Sequence, residues 1–176
     1  MLRTSEPHRS GGHDLASEVE TVIDEALQAF LERGGAIIVG SVSPDGVPHA
    51  QRGWGCSVTG PTTIRLLLDR SDPVLGEHLD ARARLAVTSA DVRTLRSVQL
   101  KGRVTGVEEP GDEDLCRCDA HNEELFSDIE QTDHFPRVLT ARMVPPSYLV
   151  ATIEVEELYD QTPGPGAGAQ VEAGWT

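Results

Sequence analysis

Residues 95–107 read LRSVQLKGRVTGV. Val98, Leu100, Gly102 and Val104 fall on one side of an extended chain; Ser97, Gln99, Lys101, Arg103 and Thr105 fall on the other. A period of two with aliphatic and β-branched residues on one face is the pattern of a half-buried strand. The opposite face carries two cations, a glutamine and two hydroxyls in a chain of formal net charge -14, and Lys101 is its one lysine. Such a face is either an ordinary solvated surface or a polar wall against an anionic ligand.

Working outward, five more strands and their turns can be read. Residues 36–43 (AIIVGSVS) form a buried strand, and Pro44-Asp45-Gly46 is a turn in which proline presets φ and glycine takes a positive φ. Residues 47–58 return as its partner, with Gly53 and Gly55 marking a bulge or a close backbone approach. Residues 62–68, 85–89 and 147–158 supply the remaining strands. Asp72 caps and Pro73 opens a short helix whose inner face is Val74, Leu75, His78 and Leu79. Short connections predict an antiparallel sheet of about six strands curling into a barrel, so the fold class is mainly β (α+β).

Helices flank this sheet. Ser17 with Glu20 forms a capping box, and Val19, Val22, Ile23, Ala26, Leu27, Phe30 and Leu31 recur at helical spacing up to Gly34-Gly35, where a left-handed stop is expected. Residues 108–133 are rich in carboxylates and read as one or two solvated surface helices, with a further turn over 135–142. The expected organisation is a disordered tail at 1–14, one domain at 15–160 and a Gly/Pro-rich tail at 161–176.

Composition excludes several functions. A sequence pI near 4.7 argues against nucleic acid and anionic membranes, both of which call for a basic footprint. No apolar run approaches a membrane span, the N-terminus lacks the apolar core of a signal peptide, and three cysteines without a framework fit a reduced, cytoplasmic protein. There is no HExxH, G-x-S-x-G, phosphate-binding loop or dinucleotide fingerprint, and nothing suggests a side-chain nucleophile. Cys116 and Cys118 with His121 do not make a metal site, because residues two apart on a helix point to different faces and a fourth ligand is missing.

The order of elements, with AIIVGSVSPDGVPHA (36–50), LLLDRSDPVLGEHLDARARLAVT (67–88) and RSVQLKGRV (96–104), resembles the pyridoxamine 5′-phosphate oxidase-like family of FMN-binding split barrels over residues 17–158. The resemblance implies a homodimer with FMN at the interface. It places Arg52 on the flavin phosphate from the second strand, Arg70 and Ser71 in a second phosphate-contacting loop, and Arg96, Ser97, Gln99 and Lys101 along the ribityl chain and ring. Trp54, between two glycines, either stacks on the ring or fills the core, core packing being the simpler role.

Two departures bear on function. Pro73, Val74 and Leu75 stand where the family's short helix usually opens with a basic pair, and the C-terminal residues 161–176 lack the arginines of the true oxidases. Formation of pyridoxal phosphate is therefore not expected. The expectation is an FMN-dependent oxidoreductase with a small-molecule substrate, in which the cofactor carries the chemistry. The alternatives are a deazaflavin-dependent reductase, a non-catalytic flavin- or haem-binding barrel with His49 or His134 as the haem ligand, and a barrel without cofactor that serves as a dimeric interaction module.

Overall fold

Hydrogen bonding along both edges of every strand organises the computed structural model, which describes residues 23–80, 83–171 and 174–175. The strands are β1 (Ala36–Val42), β2 (Pro48–Val58), β3 (Thr63–Asp69), β4 (Arg84–Ala90), β5 (Ser97–Glu108) and β6 (Tyr148–Asp160). All pairings are antiparallel, and the order β1-β2-β3-β6-β5-β4 closes into a barrel through the β1–β4 ladder. The expected six-stranded mainly-β split barrel is what the chain forms.

The barrel interior is aliphatic. Ile37 and Val39 of β1, Ile64, Leu66 and Leu68 of β3, Leu85 and Val87 of β4, and Val98, Leu100 and Val104 of β5 all point inward. The alternation read in residues 95–107 is thus the inside and outside of the barrel. Leu95 does not belong to that strand: it has φ 61° and is exposed, in a turn where Asp91 Oδ1 accepts the amides of Arg93 and Thr94. Gly46 takes φ 83° in the β1–β2 turn, as the Pro-Asp-Gly sequence requires. The register of β2 on β3 shifts between Gly53 and Cys56, with Gly55 at φ 153°.

Helix α1 (Glu25–Glu32) covers one end of the barrel with Leu27, Phe30 and Leu31. Its N-cap is Asp24, whose Oδ1 accepts the Leu27 amide at 2.8 Å; the Ser17–Glu20 box lies outside the described residues. Ala26 is exposed and off the buried stripe. The helix ends on Arg33 in an extended conformation, and neither Gly34 nor Gly35 takes a positive φ. Gly34 is there for proximity instead: a Cβ on it would lie 2.5 Å from Glu124 Cβ and 2.7 Å from the Leu125 nitrogen.

Helix α2 (Pro73–Asp80) caps the other end with Leu75, His78 and Leu79; Val74, expected on the inner face, is exposed instead. The carboxylate-rich stretch forms one helix, α3 (Asp112–Asp133), rather than two, and it is solvated on one side only. Its inner side places Cys118, Leu125 and Phe126 against Trp54, Leu67 and Val150, a second core outside the barrel wall. A short α4 (Arg137–Thr140) and a 3₁₀ turn (Ala141–Met143) return the chain to β6. After β6 the chain folds back: Tyr159 bridges Gln170, and Trp175 is buried edge-on against Phe30.

Gly102 sits at the β5–β6 register shift, where a Cβ would collide with the Glu154 carbonyl, whereas a Cβ on Gly106 meets only Thr152 at 3.9 Å. Gly102→Ala should therefore cost roughly 2 kcal/mol or more and Gly106→Ala within about 0.5 kcal/mol. Urea unfolding midpoints of the two variants check this.

Candidate functional site

Directly opposed residues in an antiparallel ladder share a face of the sheet. The registers β2–β1, β1–β4 and β4–β5 therefore line up Arg52, Ile38, Thr88 and Gln99 across the outer wall. The next row is Ala50, Gly40, Ala86 and Lys101. Gln99 Nε2 donates to Thr88 Oγ1 at 2.9 Å, and Lys101 Nζ stands 4.1 Å from the centre of the Tyr159 ring. Ile38 at the centre of this face is 47% exposed. A shallow cleft of about 580 Å³ runs over Gly40, Val42, Ala50 and Ala86 to Lys101, and its lining includes no carboxylate.

Helix α3 forms the border of this face on the side of Arg52. The Arg52 guanidinium lies 5.7 Å from the centre of the Trp54 ring, and its Nη1 is buried without a hydrogen-bond partner. Burial holds its pKa below the ordinary arginine value. His121 of α3 is 4% exposed, and neither ring nitrogen makes a well-formed hydrogen bond. Burial, assisted by the Arg52 charge, pushes its pKa down to about 4, against an opposite pull from the Arg33 carbonyl and Glu124. Asn122 donates to Cys118 Sγ at 3.5 Å while its Oδ1 is left unpaired. Unpaired buried polar groups each cost about 1–3 kcal/mol, so such a cluster is a place to look for a ligand or ordered water.

The loop between β3 and α2 is different: its polar groups already have partners within the chain. Arg70 is ion-paired with Glu109, and its Nε donates to the Tyr148 carbonyl at 3.4 Å. Ser71 donates to Asp69 Oδ1 from both its amide and its hydroxyl, at 2.8 and 2.6 Å. Asp72 Oδ1 accepts the Val74 and Leu75 amides, while its Oδ2 pairs with His49 Nε2 at 2.7 Å. Burial alone would raise the Asp72 pKa, but these bonds outweigh it and hold the carboxyl below its usual range.

Arg96 lies elsewhere, with its guanidinium 3.9 Å from the Trp175 ring centre and 5.8 Å from that of Phe30. Ser97 is buried beneath the returning C-terminal segment, its amide donating to Thr162 Oγ1 and its carbonyl accepting from Gln161. Of the seven residues singled out in the sequence, Arg52, Gln99 and Lys101 thus share the open face. Arg70 is engaged by Glu109 and the Tyr148 carbonyl, Ser71 by Asp69 of its own loop, and Arg96 and Ser97 hold the closing segment. Ile38 and Thr88 on the floor and His121 and Asn122 on the border were not anticipated. Strand alternation could have exposed the first two, but nothing local marks the second two. Trp54 belongs to the second core, Cys118 is buried there, and Cys116 is exposed on the other side of α3. His49 is tied to Asp72, and His134 is exposed at the end of α3.

The family model described as pyridoxamine 5′-phosphate oxidase matches residues 23–162. The chain belongs to this family. No curated protein matches it significantly. Among solved structures it is similar to HupZ of Group A Streptococcus, with 15% identity, 83% of this chain and 99% of that one covered, and a TM-score of 0.51. It is also similar to an F420 reductase, with 15% identity, 74% and 94% covered and a TM-score of 0.51. A Lactobacillus delbrueckii protein named for pyridoxamine 5′-phosphate oxidase shares 17% identity over 82% and 97% of the chains, with a TM-score of 0.50. At these identities the likeness is one of fold.

His121 gives the border a measurable signature. Its proton affinity falls on folding, from an ordinary value near 6.5 to about 4, so the unfolded chain binds more protons between those pH values. Its contribution to stability is complete above pH 6.5 and is lost as pH falls toward 4, to a limit of roughly 3 kcal/mol. His121→Phe should flatten that acid-side slope relative to the parent chain, as read from urea midpoints measured across pH 4–7.

Proposed function

We propose that this chain is a cytoplasmic, homodimeric flavin-type redox protein that holds a planar cofactor on the outer face of β2, β1, β4 and β5. The observation that carries this reading is Arg52 Nη1, a buried cationic donor without a partner, in register with Gln99 across an exposed apolar floor. Desolvating a guanidinium nitrogen without a partner is costly, and a phosphate or an electron-rich ring edge offsets that cost. Gly40, Ala50 and Ala86 leave the floor flat enough for a ring to approach the backbone.

Arg52 would hold the anionic end of the cofactor, and Gln99 would offer its amide to a ring edge. Lys101, which lines the cleft together with the ion-paired Arg84, would favour negative charge developing on the reduced ring. When bound, the cofactor supplies hydride transfer; the chain supplies position, polarity and exclusion of water. No acid–base pair is needed among the residues of the face.

FMN is the first cofactor to test. A deazaflavin coenzyme is a second reading, and the β3–α2 loop favours it. Glu109, Asp69 and Asp72 already take the donors of Arg70, Ser71 and the α2 N-terminus, which a flavin phosphate in the family manner would need. The fold likeness to an F420 reductase points the same way.

Titration of the purified chain with FMN and with F420, followed by flavin fluorescence and absorbance, separates the two. Binding of either supports the reading, and binding of neither overturns it. Arg52→Ala should weaken the bound cofactor about ten-fold or more, the loss expected for a charge-assisted hydrogen bond. Unchanged affinity would remove Arg52 from the site.

A further inference from the structure

Helix α3 carries a histidine on a face that is otherwise built for apolar packing. His121 lies one turn after Cys118 and one turn before Leu125, both buried in the second core. A leucine at this position would leave no polar atom unpaired. His121 is 96% buried instead, and neither ring nitrogen makes a well-formed hydrogen bond. A buried polar group in that state calls for a partner from outside the chain.

Three groups act on the ring, one from each element packed around it: the Arg33 carbonyl ahead of β1, Glu124 of α3 and the Arg52 guanidinium of β2. The first two are already engaged. The Arg33 carbonyl accepts the Gly35 amide at 2.8 Å; Glu124 accepts the Gly34 amide at 2.9 Å and stands 3.5 Å from Arg33 Nε. The Arg33 guanidinium is itself held by Asp91 and Asp128. Arg52 is the exception, because its Nη1 is as unpartnered as the ring.

Neither a guanidinium nor an imidazolium has an acceptor atom, so these two groups cannot satisfy each other once the ring is charged. An oxyanion satisfies both, accepting from Arg52 Nη1 and from a ring N–H. It also reverses the local field. In the empty border, burial and the Arg52 charge both disfavour the imidazolium. An anion beside the ring cancels the second cause and replaces it with an attraction.

We propose that His121 is the second donor of the Arg52 anion site, and that its ring takes up a proton from solvent when a phosphate-type oxyanion enters. This rests on the Arg52 part of the proposed function and adds to it a residue from α3 and a pH dependence. No covalent bond forms or breaks; one proton passes from water to a ring nitrogen. In the empty chain the ring is neutral above about pH 4. The occupied site holds the proton to higher pH, so the complex carries more protons than the free chain in between. Affinity for the anion therefore rises as pH falls toward 4. A phosphorylated cofactor and a free oxyanion present the same chemistry to this pair.

Sulfate is the probe, because it keeps its charge across the range measured, whereas a phosphate monoester titrates at about pH 6. Calorimetric titration of the full chain in two buffers of different ionisation heat counts the protons taken up per sulfate bound. The parent chain should take up protons at pH 5.5 and bind sulfate about five-fold or more tightly at pH 5 than at pH 8. His121→Gln keeps a side-chain donor without a titrating ring, and should bind with no uptake and an affinity that does not change with pH. A reading that needs no variant is the NMR signal of the His121 ring nitrogens, which should move to the imidazolium pattern when sulfate is added at pH 5.5. FMN compared with riboflavin assigns the source. Movement of these signals by FMN and not by riboflavin identifies the cofactor phosphate, and movement by sulfate alone identifies a free oxyanion; either result supports the proposal. Sulfate binding without proton uptake, uptake that persists in His121→Gln, or ring signals that stay neutral overturns it. Binding that is lost in Arg52→Ala yet carries no proton removes His121 and leaves the Arg52 reading standing. A parent chain that binds none of sulfate, FMN and F420 removes both.

Discussion

Strand β1 is hydrogen-bonded along one edge to β2 and along the other to β4, and each ladder holds six consecutive residue pairs in register. A slip by one residue in either ladder would turn every side chain of β1 to the other face. Ile37 and Val39 would then leave the core, and Ile38 and Gly40 would enter it. The aliphatic interior fixes the register, and the register in turn fixes which polar residues meet outside. Arg52 and Gln99 are 47 positions apart in sequence and share a row only because the barrel closes through this strand.

The second constraint is the seat of α3. The helix crosses the outside of β2 closely enough to build a core of its own against Trp54 and Leu67. Glycines allow it: Gly34 lies under Glu124 and Leu125, and Gly55 lies 3.6 Å from Cys118 Cα, counted from where a Cβ would stand. An ion network secures the far end, with Arg33 reaching Asp91, Glu124 and Asp128, and Arg93 reaching Asp128. Exposed pairs contribute little singly, but Asp91 and Asp128 are buried enough for loss of Arg33 to leave carboxylates stranded. The same seat brings His121 into the dry border beside Arg52.

What could be read in the sequence was what local periodicity encodes. Residues 95–107, the Pro-Asp-Gly turn and the Gly53–Gly55 bulge were legible because each is a local backbone requirement. Gly34-Gly35 was legible as punctuation but not as cause, since the reason for Gly34 lies 90 residues away in α3. The carboxylates of 108–133 hid the buried side of α3, because Leu125 and Phe126 pack on a surface that exists only after the barrel closes. Ser97 shares the alternation that puts Gln99 and Lys101 on the outer face, whereas Arg96 precedes the strand and was drawn from the family resemblance. They are diverted by the returning C-terminal segment, and composition alone gave no sign that Trp175 would come back to Phe30.

The site residues sort by whether a carboxylate is already within reach. In a chain with this excess of acid, an arginine left to itself finds a glutamate, and Arg65, Arg70, Arg84, Arg103 and Arg117 all do. A cation meant for an external anion has to be kept from those internal competitors. Burial beneath α3, between an indole ring and a histidine too poorly solvated to carry charge, does this for Arg52 at the expense of an unpaired nitrogen. Lys101 is shielded differently: a tyrosine ring beneath it takes the place that a carboxylate would fill, and Glu157, opposite in register, is drawn off by Arg84 and the Tyr159 hydroxyl. Arg84 lines the same cleft but is paired with Glu156 and Glu157, which leaves Arg52 and Lys101 as the face's cations for an external anion, and a phosphorylated ring is a ligand that both could meet at once.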